Sequence, residues 1–141
     1  MPVDLQADVN NLNWLLANFV RKTDGVRDAV AVSSDGLLIA TSDGLDRASG
    51  DQLAAIVSSL VSLSRSASRR YDFEALKLIM IEMKRGFLLV SAISGGSCLG
   101  VIADSTGDLG LIGYEITTLA DRFGAMLTPG LITESRRYLP Q

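Results

Sequence analysis

The sequence predicts an α+β domain: a five-stranded antiparallel sheet covered by three helices, in the order α-β-β-α-β-β-β-α. Three observations carry this prediction. Three stretches repeat apolar residues at alternating steps of three and four, the period of a helix with one buried stripe. Five short apolar runs lie between them, and the turns within each group of strands are too short for a parallel crossover. No linker, internal repeat or low-complexity tract divides the 141 residues, a length that suits one core.

The first helix places Leu5, Val9, Leu12, Leu16 and Phe19 on one stripe, with Asp4 as its expected N-cap. Trp14 and Leu15 fall outside that stripe and need other cover. Gly25 ends the region. A hairpin follows, with Val26, Val30 and Val32 expected on one strand face. Ser33-Ser34-Asp35-Gly36 supplies its turn, because Asp and Gly accept left-handed backbone, and Leu37 to Ala40 forms the return strand.

The second helix is expected from Arg47 to Arg70. Ser49-Gly50-Asp51-Gln52 resembles a capping box, and Asp46 offers an alternative cap one turn earlier. Leu53, Ile56, Val57, Leu60 and Ser64 make a central stripe, widened by Ala54 and Val61 on one side and Leu63 on the other. That apolar arc covers about half the helix, against the ~100° that one packing face requires.

Three strands follow: Ala75 to Met83, Phe87 to Ile93, and Cys98 to Ala103, with turns at Lys84-Arg85-Gly86 and Ser94-Gly95-Gly96-Ser97. The polar loop from Asp104 to Asp108 leads into a last helix bearing Ile112, Ile116, Leu119, Phe123 and Met126. Thr128-Pro129-Gly130 stops it. Residues 1–128 thus read as one domain and 129–141 as a tail, mobile or docked, carrying Arg136 and Arg137.

Composition narrows the chemistry. There is no histidine, which removes Ser-His and Cys-His catalysis and every His-containing metal site. The single cysteine, Cys98, excludes intrachain disulfides and Cys-cluster zinc sites and suits a reducing cytoplasm. A net charge of −3 disfavours a nucleic-acid partner. The N-terminus lacks the pattern of a signal peptide, and charges interrupt the most apolar stretch, Leu76 to Ile93, too often for a membrane span.

No motif adds a catalytic site. Gly95-Gly96-Ser97-Cys98-Leu99-Gly100 is glycine-rich but has no lysine and joins strand to strand, so it reads as a turn and not a phosphate cradle. Cys98 has no basic neighbour in sequence to lower its pKa and reads as a buried thiol. Asp104 and Asp108, or Asp35 and Asp43, could pair as acid and base, but caps and turns explain all four more simply. Ser62, Ser64, Ser66 and Ser68 lie among arginines, yet Ser64 falls on the buried stripe, which favours a packed helix over phosphorylation. Gly110 and Gly113 suggest a notch where the last helix approaches the sheet or the first helix.

The third strand is apolar on both faces through Leu78, Ile79, Met80 and Ile81, extended by Met83. At a sheet edge it would template association unless paired. With the over-wide arc of the second helix, it predicts a two-fold homodimer with antiparallel third strands and adjacent second helices. The expected interface is Ala54, Val61, Leu78, Ile79, Met80, Ile81 and Met83.

Several segments together resemble the roadblock family, which is related to dynein light chains. They are Asn13-Trp14-Leu15-Leu16, Gly25-Val26, the run from Val32 to Ala40, Leu53-Ala54-Ala55, and the run from Gly107 to Glu115. The similarity extends from Leu12 to about Leu127 and is nearest to actinobacterial members encoded beside a small GTPase and a sensor-kinase-like protein. The resemblance implies a profilin-like sandwich, a homodimer or heterodimer with a joined sheet, and no catalytic activity or cofactor. It implies binding to a Ras-like small GTPase, in the cytoplasm or recruited to a membrane through partners. The platform it implies is the second-helix face Arg47, Asp51, Ala55, Ser58, Ser62, Arg65 and Arg69. Two other readings stand beside it: a PAS-like or profilin-like module sensing a small molecule in an apolar pocket, and a hydrolase using Asp104 or Asp108.

Overall fold

The computed structural model describes residues 5–135, with side chains described for residues 8–132. The expected caps and charges at Asp4, Arg136 and Arg137, and the side chain of Leu5, lie outside the described residues. The elements run α1 (Leu5–Lys22), β1 (Val26–Val32), β2 (Leu38–Thr41), α2 (Arg47–Tyr71), β3 (Leu78–Met83), β4 (Gly86–Ala92), β5 (Cys98–Asp104), α3 (Leu109–Met126) and α4 (Pro129–Ser135). The strands form one antiparallel sheet in the order β2-β1-β5-β4-β3. The α+β class and the five-stranded sheet therefore agree with the sequence reading.

The sheet separates two cores. On one face α1, α3 and α4 enclose Leu12, Leu16, Ile39, Leu89, Leu99, Ile112, Ile116 and Phe123. On the other, α2 alone packs Leu53, Ala54, Val57 and Val61 onto Val30, Val32, Leu38, Leu88 and Val90. Period-two alternation delivers both sets, since neighbouring strand residues face opposite sides.

Val26 departs from the expected face. It joins the α1 core, whereas Val30 and Val32 join the α2 core. The register of β1 against β5 shifts between Val26 and Asp28, and an irregularity of one residue reverses every side chain beyond it.

Helix α2 starts as the alternative cap requires. The Asp46 carboxylate accepts from the Ser49 amide at 2.8 Å. The helix ends at Asp72, which is left-handed with φ 55°. The strand expected from Ala75 is shorter at its start, and β3 begins at Leu78.

The stretch read as a tail begins with α4. Its Leu131 is buried in the core beside α1 and α3, and the Thr128 hydroxyl caps it by accepting from the Leu131 amide at 3.0 Å. The α-helices described thus number four rather than three.

Of the two notch glycines only Gly113 faces the sheet, where an added Cβ would lie 3.3 Å from the Met80 methyl. Gly110 is exposed. Leu15 is buried and Trp14 is left in solvent.

Candidate functional site

The two sheet edges are treated differently. At the β2 edge the strand has only four residues, all buried, and the Thr41 amide donates to the Asn13 side chain of α1 at 3.1 Å. At the β3 edge six residues pair, among the described residues, with β4 on one side alone. The Ala92 amide bonds the Lys77 carbonyl, and the ladder runs in register to Met83 and Gly86. By antiparallel alternation the backbone groups of Leu78, Met80 and Glu82 then point outward from the sheet.

Met80 is 45% exposed and Met83 is 52% exposed on this edge. Leu78, Ile79 and Ile81 are half-buried, the first against the α1/α3 core and the other two against the α2 core.

Helix α2 lies across the sheet with two unlike flanks. Its underside, Leu53, Ala54, Val57 and Val61, is buried within the chain. Two residues of the expected dimer interface, Ala54 and Val61, are therefore occupied by the protein's own sheet. The central stripe is rotated accordingly: Ile56 stands 51% exposed, and Leu63, which widens the arc on that side, 69% exposed. Ile56, Leu60 and Leu63 follow one another at helical spacing on the flank toward β3, where Leu60, Ile79 and Ile81 border the same core. The edge and the helix meet at the core that Leu60, Ile79 and Ile81 share.

The opposite flank is polar. Arg47, Asp51, Ala55, Ser58, Ser62, Arg65 and Arg69 share it, at steps of three and four. Arg47 and Asp51 form an ion pair at 3.1 Å. Ser58, Ser62, Arg65 and Arg69 line a groove of about 360 Å³ whose far wall is Ser33, Ser34 and Asp35. Sequence reasoning found this helix face but not its opposite wall. The Ser33–Gly36 turn announces a hairpin, and nothing local says which helix the hairpin leans toward.

Cys98 lies on the groove floor and is buried. Burial pushes its thiol above the ordinary pKa, and the Arg65 guanidinium offsets part of that shift. The carboxylates considered for acid–base work serve structure. Asp104 pairs with Arg27 at 3.7 Å, Asp43 pairs with Arg21 at 3.4 Å, and Asp35 accepts from the Ser33 hydroxyl. Asp108 caps α3, accepting from the Leu111 amide at 3.1 Å. The Gly95-Gly96 segment is a turn between β4 and β5, with both glycines at positive φ. Among the described residues no helix is long and apolar enough to cross a membrane.

Comparison with known proteins agrees with this architecture. A family model described as the Roadblock/LC7 domain matches residues 12–103. A crystal structure of a Roadblock/LC7 domain from Streptomyces avermitilis shares 32% identity, over 89% of this chain and 95% of that one, with a TM-score of 0.71. MglB of Myxococcus xanthus shares the fold at 16% identity, covering 82% of this chain and 94% of its own, with a TM-score of 0.75. A protein of Methanocaldococcus jannaschii is 33% identical over 76% of this chain and 89% of its own length. The sandwich, the sheet order and these matches together place the chain in the Roadblock/LC7 family.

Proposed function

We propose that this chain is a non-catalytic adaptor that works as a homodimer in the cytoplasm and docks a Ras-like small GTPase on the polar flank of its second helices. A sensor-kinase-like membrane protein is the proposed recruiter of the complex. Residues 1–128 and the docked α4 act as one domain in this reading.

The observation that carries it is the unpaired β3 edge flanked by apolar surface. A strand with outward-pointing backbone groups and exposed Met80 and Met83 is poorly suited to solvent, and a two-fold copy supplies both the hydrogen bonds and the cover. Leu78, Ile79, Met80, Ile81 and Met83 form the proposed strand interface. Ile56 and Leu63 take the place of the buried Ala54 and Val61 on the helix. The same arrangement would set two α2 helices side by side, presenting both polar flanks on one surface. The structural employment of the candidate carboxylates supports an adaptor over an enzyme.

Sedimentation at micromolar concentration tests the assembly: a dimer is expected, and Met80→Lys is expected to give folded monomer. A monomeric wild-type chain would refute the dimer. For the platform, Ser62→Ala combined with Arg65→Glu and Arg69→Glu is expected to weaken capture of the GTPase at least tenfold while leaving the circular dichroism unchanged. Unaltered affinity would remove the platform assignment.

A further inference from the structure

The groove beside α2 does not end at Arg65. A second cavity of about 400 Å³ continues along the helix toward the segment before β3, lined by Leu76, Ala92 and Ile93. The two cavities share Arg65, Arg69 and Gly96. Together they make a furrow with a polar half beneath the Ser33–Asp35 turn, a more apolar half near Leu76, and two guanidiniums at the junction.

Those guanidiniums are held but under-used. Arg65 donates to the Gly96 carbonyl at 3.3 Å, and Arg69 donates to the Ser66 hydroxyl at 3.2 Å. An arginine carries five N–H donors, so each retains several. Among the described residues ion pairs form at Arg21, Arg27 and Arg47, and none forms at Arg65 or Arg69. Among the described residues Arg70, Arg85 and Arg122 form none either; what sets Arg65 and Arg69 apart is that both line the furrow where its two cavities meet.

We infer that this furrow receives an extended acidic segment of the protein partner, with a carboxylate at Arg65 and Arg69 and an apolar side chain in the half lined by Leu76 and Ile93. The chemistry matches the recognition of acidic motifs by arginine clusters, where fork-shaped donors meet paired oxygens. A carboxylate suits the junction better than a phosphate. Glu74 also lines the furrow, so a dianion at the junction would meet more repulsion than a monoanion. Its two-cavity length suits an extended chain better than a free ion. The inference rests on the adaptor reading for the identity of the partner, and on the furrow alone for its chemistry.

The test titrates the full chain with acetyl-Leu-Glu-Leu-Glu-amide, with the same peptide bearing Gln for Glu, and with inorganic phosphate, while following the arginine Nε–H resonances by NMR. The acidic peptide is expected to shift Arg65 and Arg69 saturably and to bind at least tenfold more tightly than the Gln peptide. Arg21 and Arg27 should stay unmoved, and Arg65→Gln with Arg69→Gln should abolish saturable binding of the acidic peptide, followed in that variant by the Gly96 backbone amide. Equal binding of the two peptides would overturn the inference, as would tighter binding of phosphate or equal shifts at all four arginines. A chain that takes the acidic peptide but no GTPase would sink the adaptor reading and leave the furrow standing. A chain that binds the GTPase but not the peptide at Arg65 and Arg69 would do the reverse.

Discussion

Gly25 shows what a single residue fixes. Its φ of +88° lies in the left-handed region, its carbonyl accepts from the Asp104 amide at 2.7 Å, and an added Cβ would sit 2.5 Å from the Gly107 Cα. The neighbour is backbone, so nothing flexible can yield. Gly25→Ala combines the left-handed cost of ~1 kcal/mol with overpacking of ~1–3 kcal/mol, and a loss of about 2–4 kcal/mol in urea denaturation is expected. Gly44→Ala is the matched control. Its φ is +92°, but among the described residues no atom beyond its chain neighbours lies within 4 Å of an added Cβ, so about 1 kcal/mol is expected. Equal losses for the two variants would contradict the close approach. The sequence marked Gly25 as the end of the first helix but said nothing of Gly107, because contact between residues so distant in the chain leaves no local pattern.

Helix α2 marks how far periodicity reaches for an element. Its span was legible almost to the residue, because capping residues and flanking breakers act locally. Its orientation was not. Apolar residues occupy half its circumference, and a wheel cannot tell the flank pressed on the sheet from the one left for something else. Only the packed sheet shows that Ala54 and Val61 face inward while Ile56 and Leu63 face out.

The same helix has a pH signature. Hydrogen bonds from Ser49 hold the Asp46 carboxyl below its ordinary pKa. A depressed folded pKa means the cap's stabilisation is fully present above the unfolded carboxylate pKa and is lost as pH falls through the folded value. Melting temperature measured from about pH 7 down to about pH 3 should therefore drop less steeply for Asp46→Asn than for wild type, because Asn accepts the bond without titrating. Identical slopes would show that the cap does not contribute through its charge.

For the whole molecule, the sheet and its helices follow from the sequence because each strand alternates or saturates in apolar residues and each turn carries Asp, Gly or Ser. The β1 irregularity at Val26 and Asp28 escaped, since a bulge depends on its partner strand and not on composition. The groove escaped for a related reason: its walls, Ser33–Asp35 and Ser58–Arg69, meet only once the fold closes. What the sequence did disclose was an excess of apolar surface, and the structure gives it a location along β3 and the adjoining flank of α2.

Asn13 limits what that surface can build. By blocking Thr41 it leaves the subunit with a valence of one, like a reagent that couples once and then terminates growth. In the proposed dimer, joining at the β3 edge would exhaust the capacity for strand addition, so pairs would form where fibres otherwise could. Asn13→Ala should restore the second valence, and light scattering should then reveal species larger than a pair; a size distribution identical to wild type would show that burial of β2, and not this one amide, is the terminator.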